Sequence, residues 1–285
     1  MAITAAQVKE LREKTGAGMM DCQRALQEAG GDMEEAVKIL RKKGLAAAAK
    51  KAGRVAKDGL VAIAVLPEGD RGGMIELNCE TDFVARTEQY QAFALSLAEQ
   101  VANDGVGDLE KVKSTRYMTD PLHTVSDAIA SQIATIGENI VLSRVAALHA
   151  AAGMRIGSYL HMGGKIGVLV EMSASADDET VKDVAMHVAA AEPRFVTPQS
   201  VPESVLAEER EIARAQVPEG KPEQVIVKIV DGKVAKFFEQ VCLIEQPFVK
   251  DPEKKVKDVL ASRGGATVAR FVRFKLGEGV AGAEK

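Results

Sequence analysis

The chain has 285 residues, and its 37 Lys and Arg against 41 Asp and Glu give a formal net charge of −4. This length suits two or three domains, and the small acidic excess argues against a protein whose whole surface binds nucleic acid. Apolar runs are shorter than the ~18 residues of a membrane-spanning helix, and charges stand near the start where a secretory signal has its apolar stretch. The composition therefore favours a soluble, cytoplasmic protein.

Cysteines and histidines are few, three and four respectively, and they lack the spacing of disulfide frameworks or metal sites. The glycine-rich turns do not have the pattern of a nucleotide-binding P-loop and are typical of hairpin turns. Acidic residues are scattered, and the sequence pairs none of them for acid–base work. We therefore expect no cofactor, no bound metal and no enzymatic activity.

The first 57 residues are predicted to form a basic head of three short helices. Twelve Lys and Arg against seven Asp and Glu give this segment a charge of +5. Thr4 and Gln7 fit a capping box at the start of the first helix. Asp21 is expected to cap the second helix, and Gly44 is expected to interrupt the third. The alanine-rich stretch after Gly44 continues as a linker or as a helical extension.

From residue 58 the pattern changes to short β-branched runs, which predict strands. A hairpin over 60–79 is followed by helices over 91–101 and about 122–136, and 141–149 is a strand. At an offset of 91 residues the order recurs, with strands over 155–160 and 165–171 and a helix over 181–191. We interpret this as a weak duplication, so the fold class is α+β with two related halves.

Residues 203–241 look like an insertion in the second half. Helical patterns over 204–216 and 223–241 predict an antiparallel helical hairpin, that is, a protruding coiled coil. A helix over 252–261 and a strand over 266–275 follow. The predicted domains are thus a head over 1–57, core subdomains over 58–140 and 141–276, the second carrying the hairpin at about 203–241, and a short tail over 277–285.

One strand-to-helix junction is a candidate functional site, because Phe83 follows directly after a polar cap formed by Thr81 or Asp82. Phe83 is either a hydrophobic staple that folds onto its own helix or an exposed aromatic wedge that anchors an interface. Met19 and Met20 present a similar choice. Paired methionines are usually core filler, but a small head has little core, so docking onto another helix is the alternative.

Two long motifs resemble the signatures of the bacterial elongation factor Ts family. Residues 8–22, VKELREKTGAGMMDC, are similar to the N-terminal signature, and residues 78–85, NCETDFVA, are similar to the second. Shorter motifs stand in the family's order over 136–140, 157–159 and 246–249. The resemblance covers nearly the whole chain, and motifs of this length are highly specific.

The resemblance implies a guanine-nucleotide exchange factor that binds elongation factor Tu, first with GDP and then nucleotide-free. It implies a ubiquitin-associated-like head, and no direct nucleic-acid or membrane contact is expected. Thr81, Asp82, Phe83 and Val84 match the motif that disturbs the partner's magnesium site, with Phe83 as the wedge. Further positions match partner contacts: Arg12, Met19, Met20, Ile136, Gly137, His161 and Val249. A homodimer within a 2:2 complex is compatible with the resemblance.

Two departures from the family pattern have consequences. Some members carry a further C-terminal helix that touches the partner, and we expect that contact to be missing because this sequence ends soon after Val280. The turn after Tyr159 is one residue longer than in some members, and a lone turn histidine such as His161 is usually solvated. The alternative function is an RNA-binding translation protein, which is disfavoured because the head almost lacks aromatic residues for base stacking.

Overall fold

The computed structural model describes residues 3–278, so the end of the predicted tail, 279–285, lies outside the described residues. Within this range the chain has a mixed α+β fold, as predicted. The helices are α1 (Ala5–Thr15), α2 (Met19–Glu28), α3 (Met33–Lys51), α4 (Asp82–Ala85), α5 (Glu88–Asp104), α6 (Leu109–Ser114), α7 (Val125–Ile136), α8 (Asp178–Ala191), α9 (Glu203–Ala215), α10 (Glu223–Val241) and α11 (Val256–Ser262). The strands are β1 (Asp58–Val65), β2 (Arg71–Cys79), β3 (Arg116–Tyr117), β4 (Asp120–Thr124), β5 (Val141–His149), β6 (Met154–His161), β7 (Ile166–Ser173), β8 (Pro247–Phe248), β9 (Asp251–Lys255) and β10 (Val268–Lys275).

Helices α1 to α3 enclose a small apolar core that includes Leu11, Cys22 and Leu26. The capping box at Thr4 forms as predicted, and Gln7 N donates to Thr4 Oγ1 at 3.2 Å. The prediction that Asp21 caps α2 is wrong. That helix starts at Met19, so Asp21 lies inside its first turn, where its carboxylate pairs with Arg24.

The predicted interruption at Gly44 is also wrong, because α3 continues through it to Lys51. Gly44 is buried, and a Cβ at this position would lie 3.6 Å from Ala134 Cβ and 3.7 Å from Ala130 O, both on α7. Both distances are ordinary van der Waals contacts, so α3 of the head packs directly on α7 of the core at this position. Packing between the two helices offsets the weak helix propensity of glycine.

Two antiparallel three-stranded sheets form the core, with strand orders β1-β2-β5 and β6-β7-β10. Each middle strand is followed by a helix that covers one face of its sheet, α5 in the first half and α8 in the second. Phe93 and Leu97 of α5 are buried against the first sheet, and Val184 and Val188, 91 residues later, are buried against the second. The same arrangement of elements thus occurs twice.

The two sheets pack on each other through the faces that α5 and α8 do not cover. The shared apolar layer contains buried side chains from both sheets, namely Val61, Met74, Leu148, Ile156, Leu169 and Phe274. The approach is close at Gly167, where a Cβ would lie 2.5 Å from Val61 Cγ1. The core is therefore layered as helix, sheet, sheet and helix.

Two predicted helices start before the helices in the structure do, and both differences have the same physical reason. The predicted helix over 252–261 starts with strand β9, and the helix predicted from about 122 follows strand β4. Each strand pairs with a two-residue strand before it, β8 or β3, in a small irregular hairpin. These strands are largely exposed and polar, so they lack the apolar alternation that identifies a strand.

Helices α9 and α10 pack on each other as the predicted helical hairpin. α10 has the predicted bounds, and the base of the hairpin is held where Leu243 N donates to Phe195 O at 2.8 Å. None of the helices within residues 3–278 combines the length and the hydropathy of a membrane span. The predicted domain boundaries stay predictions.

Candidate partner-binding site

Phe83 lies on a short turn that leaves the end of β2. Thr81 is the N-cap of the one-turn helix α4, since its Oγ1 accepts a hydrogen bond from Val84 N at 3.4 Å. Asp82 is not the cap, and its carboxylate pairs instead with Arg86 at 2.8 Å. The Phe83 side chain is 79% exposed. The staple hypothesis is therefore wrong, and the exposed aromatic remains.

A carboxylate from the end of α7 holds this turn. Glu138 Oε2 accepts hydrogen bonds from Glu80 N and Thr81 N, both at 3.0 Å, and Oε1 accepts from Thr81 Oγ1 at 2.6 Å. In return, Asn139 N donates to Glu80 Oε1 at 2.7 Å. The backbone that carries Phe83 is thus fixed by residues almost 60 positions further along the chain.

The floor beneath the turn is buried and uncharged. Cys79 Sγ donates to Thr81 O at 3.1 Å, and burial raises the pKa of the Cys79 thiol to about 11. Tyr90 is fully buried, and its hydroxyl has no hydrogen-bond partner among residues 3–278. Burial raises the pKa of Tyr90 as well. Neither group carries charge at neutral pH, so the turn rests on an apolar base.

Ile136 and Gly137 form the corner from which Glu138 reaches the turn. Ile136 ends α7 and is half-buried against the first core cluster. Gly137 adopts φ of 91°, a left-handed conformation that favours glycine, and its N–H donates to Ile133 O at 3.0 Å. The resulting corner lies beside Thr81, so these predicted contact residues and Phe83 share one surface.

The head reaches the same corner through its glycine turn. A Cβ at Gly16 would lie 3.9 Å from Oγ1 of Thr135, the residue before Ile136. Met19 and Met20 follow this turn and are 47% and 66% exposed, so the core-filler interpretation is wrong for both. Arg12 is exposed on α1, and its carbonyl oxygen accepts from Gly16 N at 2.8 Å.

His161 is the last residue of β6, so the prediction that it lies in a turn is wrong. The turn that follows it, between β6 and β7, lies against the start of β1. Gly164 O accepts a hydrogen bond from Val61 N at 2.7 Å, and Lys165 Nζ lies 3.5 Å from Asp58 Oδ1. Asp58 in turn pairs with Cys79 at the end of β2. The His161 side chain is exposed, as predicted, and the turn that follows it lies at the same end of the sheets as Phe83.

Val249 has a different setting. It is exposed after β8, and its N–H donates at 3.1 Å to Nδ1 of His187, a buried residue of α8. Nε2 of His187 lies 3.0 Å from Gln246 Oε1, so the imidazole holds both ends of the β8 segment. Burial lowers the pKa of His187. The contacts described for Val249 lie within the second half of the core.

Segments that contact one another therefore carry six of the predicted contact residues, and we call this set the wedge face. It runs from the methionines of the head across the end of α7 to the Phe83 turn and on to the β6–β7 turn: Met19, Met20, Ile136, Gly137, Phe83 and His161. Sequence reasoning did not assign a role to Glu80, Glu138 or Asn139. The motif over 136–140 was the available signal. Within residues 3–278, no cluster of His, Cys, Asp and Glu has the arrangement of a metal site.

Comparison with known proteins assigns this fold to a family. The family model described as elongation factor TS matches residues 80–278. A protein of Trichlorobacter lovleyi (strain ATCC BAA-1151 / DSM 17278 / SZ), described as elongation factor Ts, is 47% identical over 294 aligned positions that cover 98% of this chain and 94% of that protein. The class is that of translation elongation factors. The chain belongs to the elongation factor Ts family.

Proposed function

We propose that this chain is a guanine-nucleotide exchange factor for elongation factor Tu. It binds the GDP-bound partner, disturbs the partner's magnesium site and promotes GDP release, so that GTP can bind. The observation that supports this most directly is Phe83, an exposed aromatic side chain on a backbone turn that Glu138 holds in place. The role is one of binding and release and needs no covalent chemistry by this chain.

The proposed mechanism depends on the geometry that magnesium requires. Mg²⁺ demands near-ideal octahedral coordination and connects a GTPase to the phosphates of its nucleotide. A side chain that inserts beside the magnesium site therefore weakens nucleotide binding without touching the nucleotide. Thr81, Asp82, Phe83 and Val84 are the residues proposed to do this. Linkage makes the effect reciprocal, since GDP weakens binding of the factor by the same ratio.

The magnitude required shows that the wedge cannot act alone. Burying one Phe supplies about 1.5–3 kcal/mol, which corresponds to roughly ten- to a hundredfold in an equilibrium constant. Reversing a 99:1 preference takes about 5.5 kcal/mol of differential binding. Contacts elsewhere must supply the remainder. Met19, Met20 and His161 are the proposed sources, and their exposure supports this.

Three further contacts are proposed. Arg12 supports the methionines from α1, Ile136 and Gly137 contact the partner beside Phe83, and Val249 forms a separate contact from the second half. A homodimer within a 2:2 complex is part of the same proposal, and sedimentation of the mixed proteins distinguishes it from a 1:1 complex.

The test is the release of fluorescent GDP from purified elongation factor Tu, measured with and without this protein. We expect the protein at micromolar concentration to accelerate release and excess GDP to reverse complex formation, as linkage requires. The proposal is wrong if release proceeds at the intrinsic rate at every concentration of the protein. A protein with both methionines and Phe83 replaced serves as the matched inactive control.

A further inference from the structure

We infer that Glu138 is a positioning residue for Phe83, and this inference rests on the exchange function proposed above. Glu138 is not itself expected to touch the partner's nucleotide or magnesium. It acts by fixing the backbone turn from which Phe83 projects. The inference goes beyond the predicted contact residues, because nothing in the sequence pattern connects this carboxylate with the wedge.

The geometry of the carboxylate carries the inference. Both of its oxygens bind the turn, Oε2 through the N–H groups of Glu80 and Thr81 and Oε1 through the Thr81 hydroxyl. Hydrogen bonds to an ionised acceptor are about twice as strong as neutral ones. Three of them on two adjacent residues define the direction in which the chain leaves β2. No other side chain among the described residues makes as many hydrogen bonds to this turn.

Phe83 depends on that support because it has little of its own. With 79% of its surface exposed, the ring is not held by packing against the rest of the chain. Its direction is therefore set by the backbone of the turn. A turn that fluctuates would still present a phenylalanine, but the side chain would have to be ordered on docking, and that ordering reduces the free energy available for the partner.

Glu138 also connects the wedge with the head. It follows Gly137 at the end of α7, and the same helix contacts Gly44 of α3 and, at Thr135, Gly16. The carboxylate thus links the helix on which the head rests to the turn that carries Phe83. Loss of the link is expected to uncouple the wedge from the docking surface of the head.

The first experiment observes the side chain at position 83 directly. The chain contains no tryptophan, so Phe83→Trp creates a single fluorescent reporter, and time-resolved anisotropy measures its local motion in the free protein. Adding Glu138→Ala should increase the amplitude of the fast motion. Glu138→Gln should restore much of the order, because its amide oxygen can accept from both N–H groups and its amide nitrogen can donate to Thr81 Oγ1. Unchanged motion in Glu138→Ala overturns the inference.

A matched control separates this effect from general loss of stability. Asp258 accepts from Lys255 N at 3.1 Å at the start of α11, far along the chain from the wedge. Asp258→Ala likewise removes a carboxylate that accepts a backbone N–H beside a helix, and its unfolding midpoint is measured alongside that of Glu138→Ala. The anisotropy of the reporter should change only in the Glu138 variant. Equal changes in both variants overturn the inference.

The second experiment measures exchange at saturating concentrations of the factor. Glu138→Ala should lower maximal stimulated GDP release by up to about 10- to 100-fold, the loss expected for Phe83→Ala, because Glu138 acts only through that side chain. In a Phe83→Ala background the same change should have almost no further effect, because both act through one side chain. Additive losses overturn the inference. If wild type fails to accelerate release, the proposed function is wrong, while the anisotropy result still decides the role of Glu138.

Discussion

The backbone nitrogen of Val61 donates a hydrogen bond to the carbonyl oxygen of Gly164 at 2.7 Å. Val61 belongs to the first sheet, and Gly164 belongs to the turn that follows His161. A main-chain hydrogen bond therefore connects the two halves of the core at the end where Phe83 projects. The apolar layer between the sheets is a second connection. The proposed contact residues Phe83 and His161 are thus carried by two halves that are hydrogen-bonded to each other near both residues.

Phe83→Ala is expected to reduce stimulated GDP release by roughly ten- to a hundredfold, since it removes the apolar surface of one Phe from the interface. The unfolding midpoint should hardly change, because truncation of an exposed side chain leaves no cavity. Exchange kinetics and thermal unfolding of the same preparation give the two readouts. A buried Phe would behave in the opposite way, with a loss of about 3–5 kcal/mol of stability.

Replacing both Met19 and Met20 by Ser is expected to weaken the complex with elongation factor Tu while the head stays folded. The side chains are exposed, so their loss removes contact area and not core volume. Titration calorimetry of the complex and circular dichroism of the free variant provide the measurement. An unchanged dissociation constant would contradict docking by the head, and Leu45→Ser, another exposed apolar residue of the head, is a matched control.

Acidification is expected to destabilise the second half of the core through His187. Burial lowers the pKa of this side chain below its ordinary value of 6.5, so the folded protein binds the proton less tightly than the unfolded chain. The stabilisation is therefore present above about pH 6.5 and is lost as the pH falls below it, by at most about 1.4 kcal/mol per pH unit. Protonation at Nδ1 also removes the acceptor for Val249 N–H.

Urea unfolding at pH 7.5 and 5.5 tests this prediction, with His187→Asn as the comparison. Asn offers an amide oxygen near the position of Nδ1 but does not titrate, so its stability should fall less on acidification than that of the wild type. An equal fall in both proteins would assign the pH dependence to other groups.

Gly44 offers a prediction on the junction between head and core. Gly44→Ala should raise the unfolding free energy by about 0.5–1 kcal/mol through helix propensity, because the added Cβ meets only ordinary contacts with α7. Gly44→Leu should lower it, since a large side chain has no space between α3 and α7. The pair of midpoints checks this, and a loss of stability in Gly44→Ala would show that the helices need the closer approach.

Regular elements with strong apolar patterns were predictable from the sequence. β5 and α10 have the predicted bounds, because a long periodic segment determines its own structure. The continuation of α3 through Gly44 and the strand β9 were not predictable, since each depends on a partner element and not on an apolar pattern of its own. For Gly44 the partner is α7, and for β9 it is the short strand β8.

The candidate site shows the same division. A polar cap at Thr81 or Asp82 follows from local chemistry and was predicted, and the structure assigns it to Thr81. Whether Phe83 folds back or stays exposed depends on the surrounding surface, so the sequence left both alternatives open. Glu138 was beyond sequence reasoning, because its hydrogen bonds to Glu80 and Thr81 span 58 and 57 residues.

The inserted helical hairpin has a consequence for the history and the engineering of the chain. The hairpin β3–β4 and helix α7 have counterparts in the hairpin β8–β9 and helix α11, which begin 131 residues later. The earlier elements of the two halves are offset by 91 residues. The increase is close to the length of the α9–α10 segment. The ends of that segment meet at Phe195 and Leu243. We therefore expect that a short loop can replace the whole segment in a shortened protein. The spacing is that of a tandem duplication into which the α9–α10 segment was later inserted.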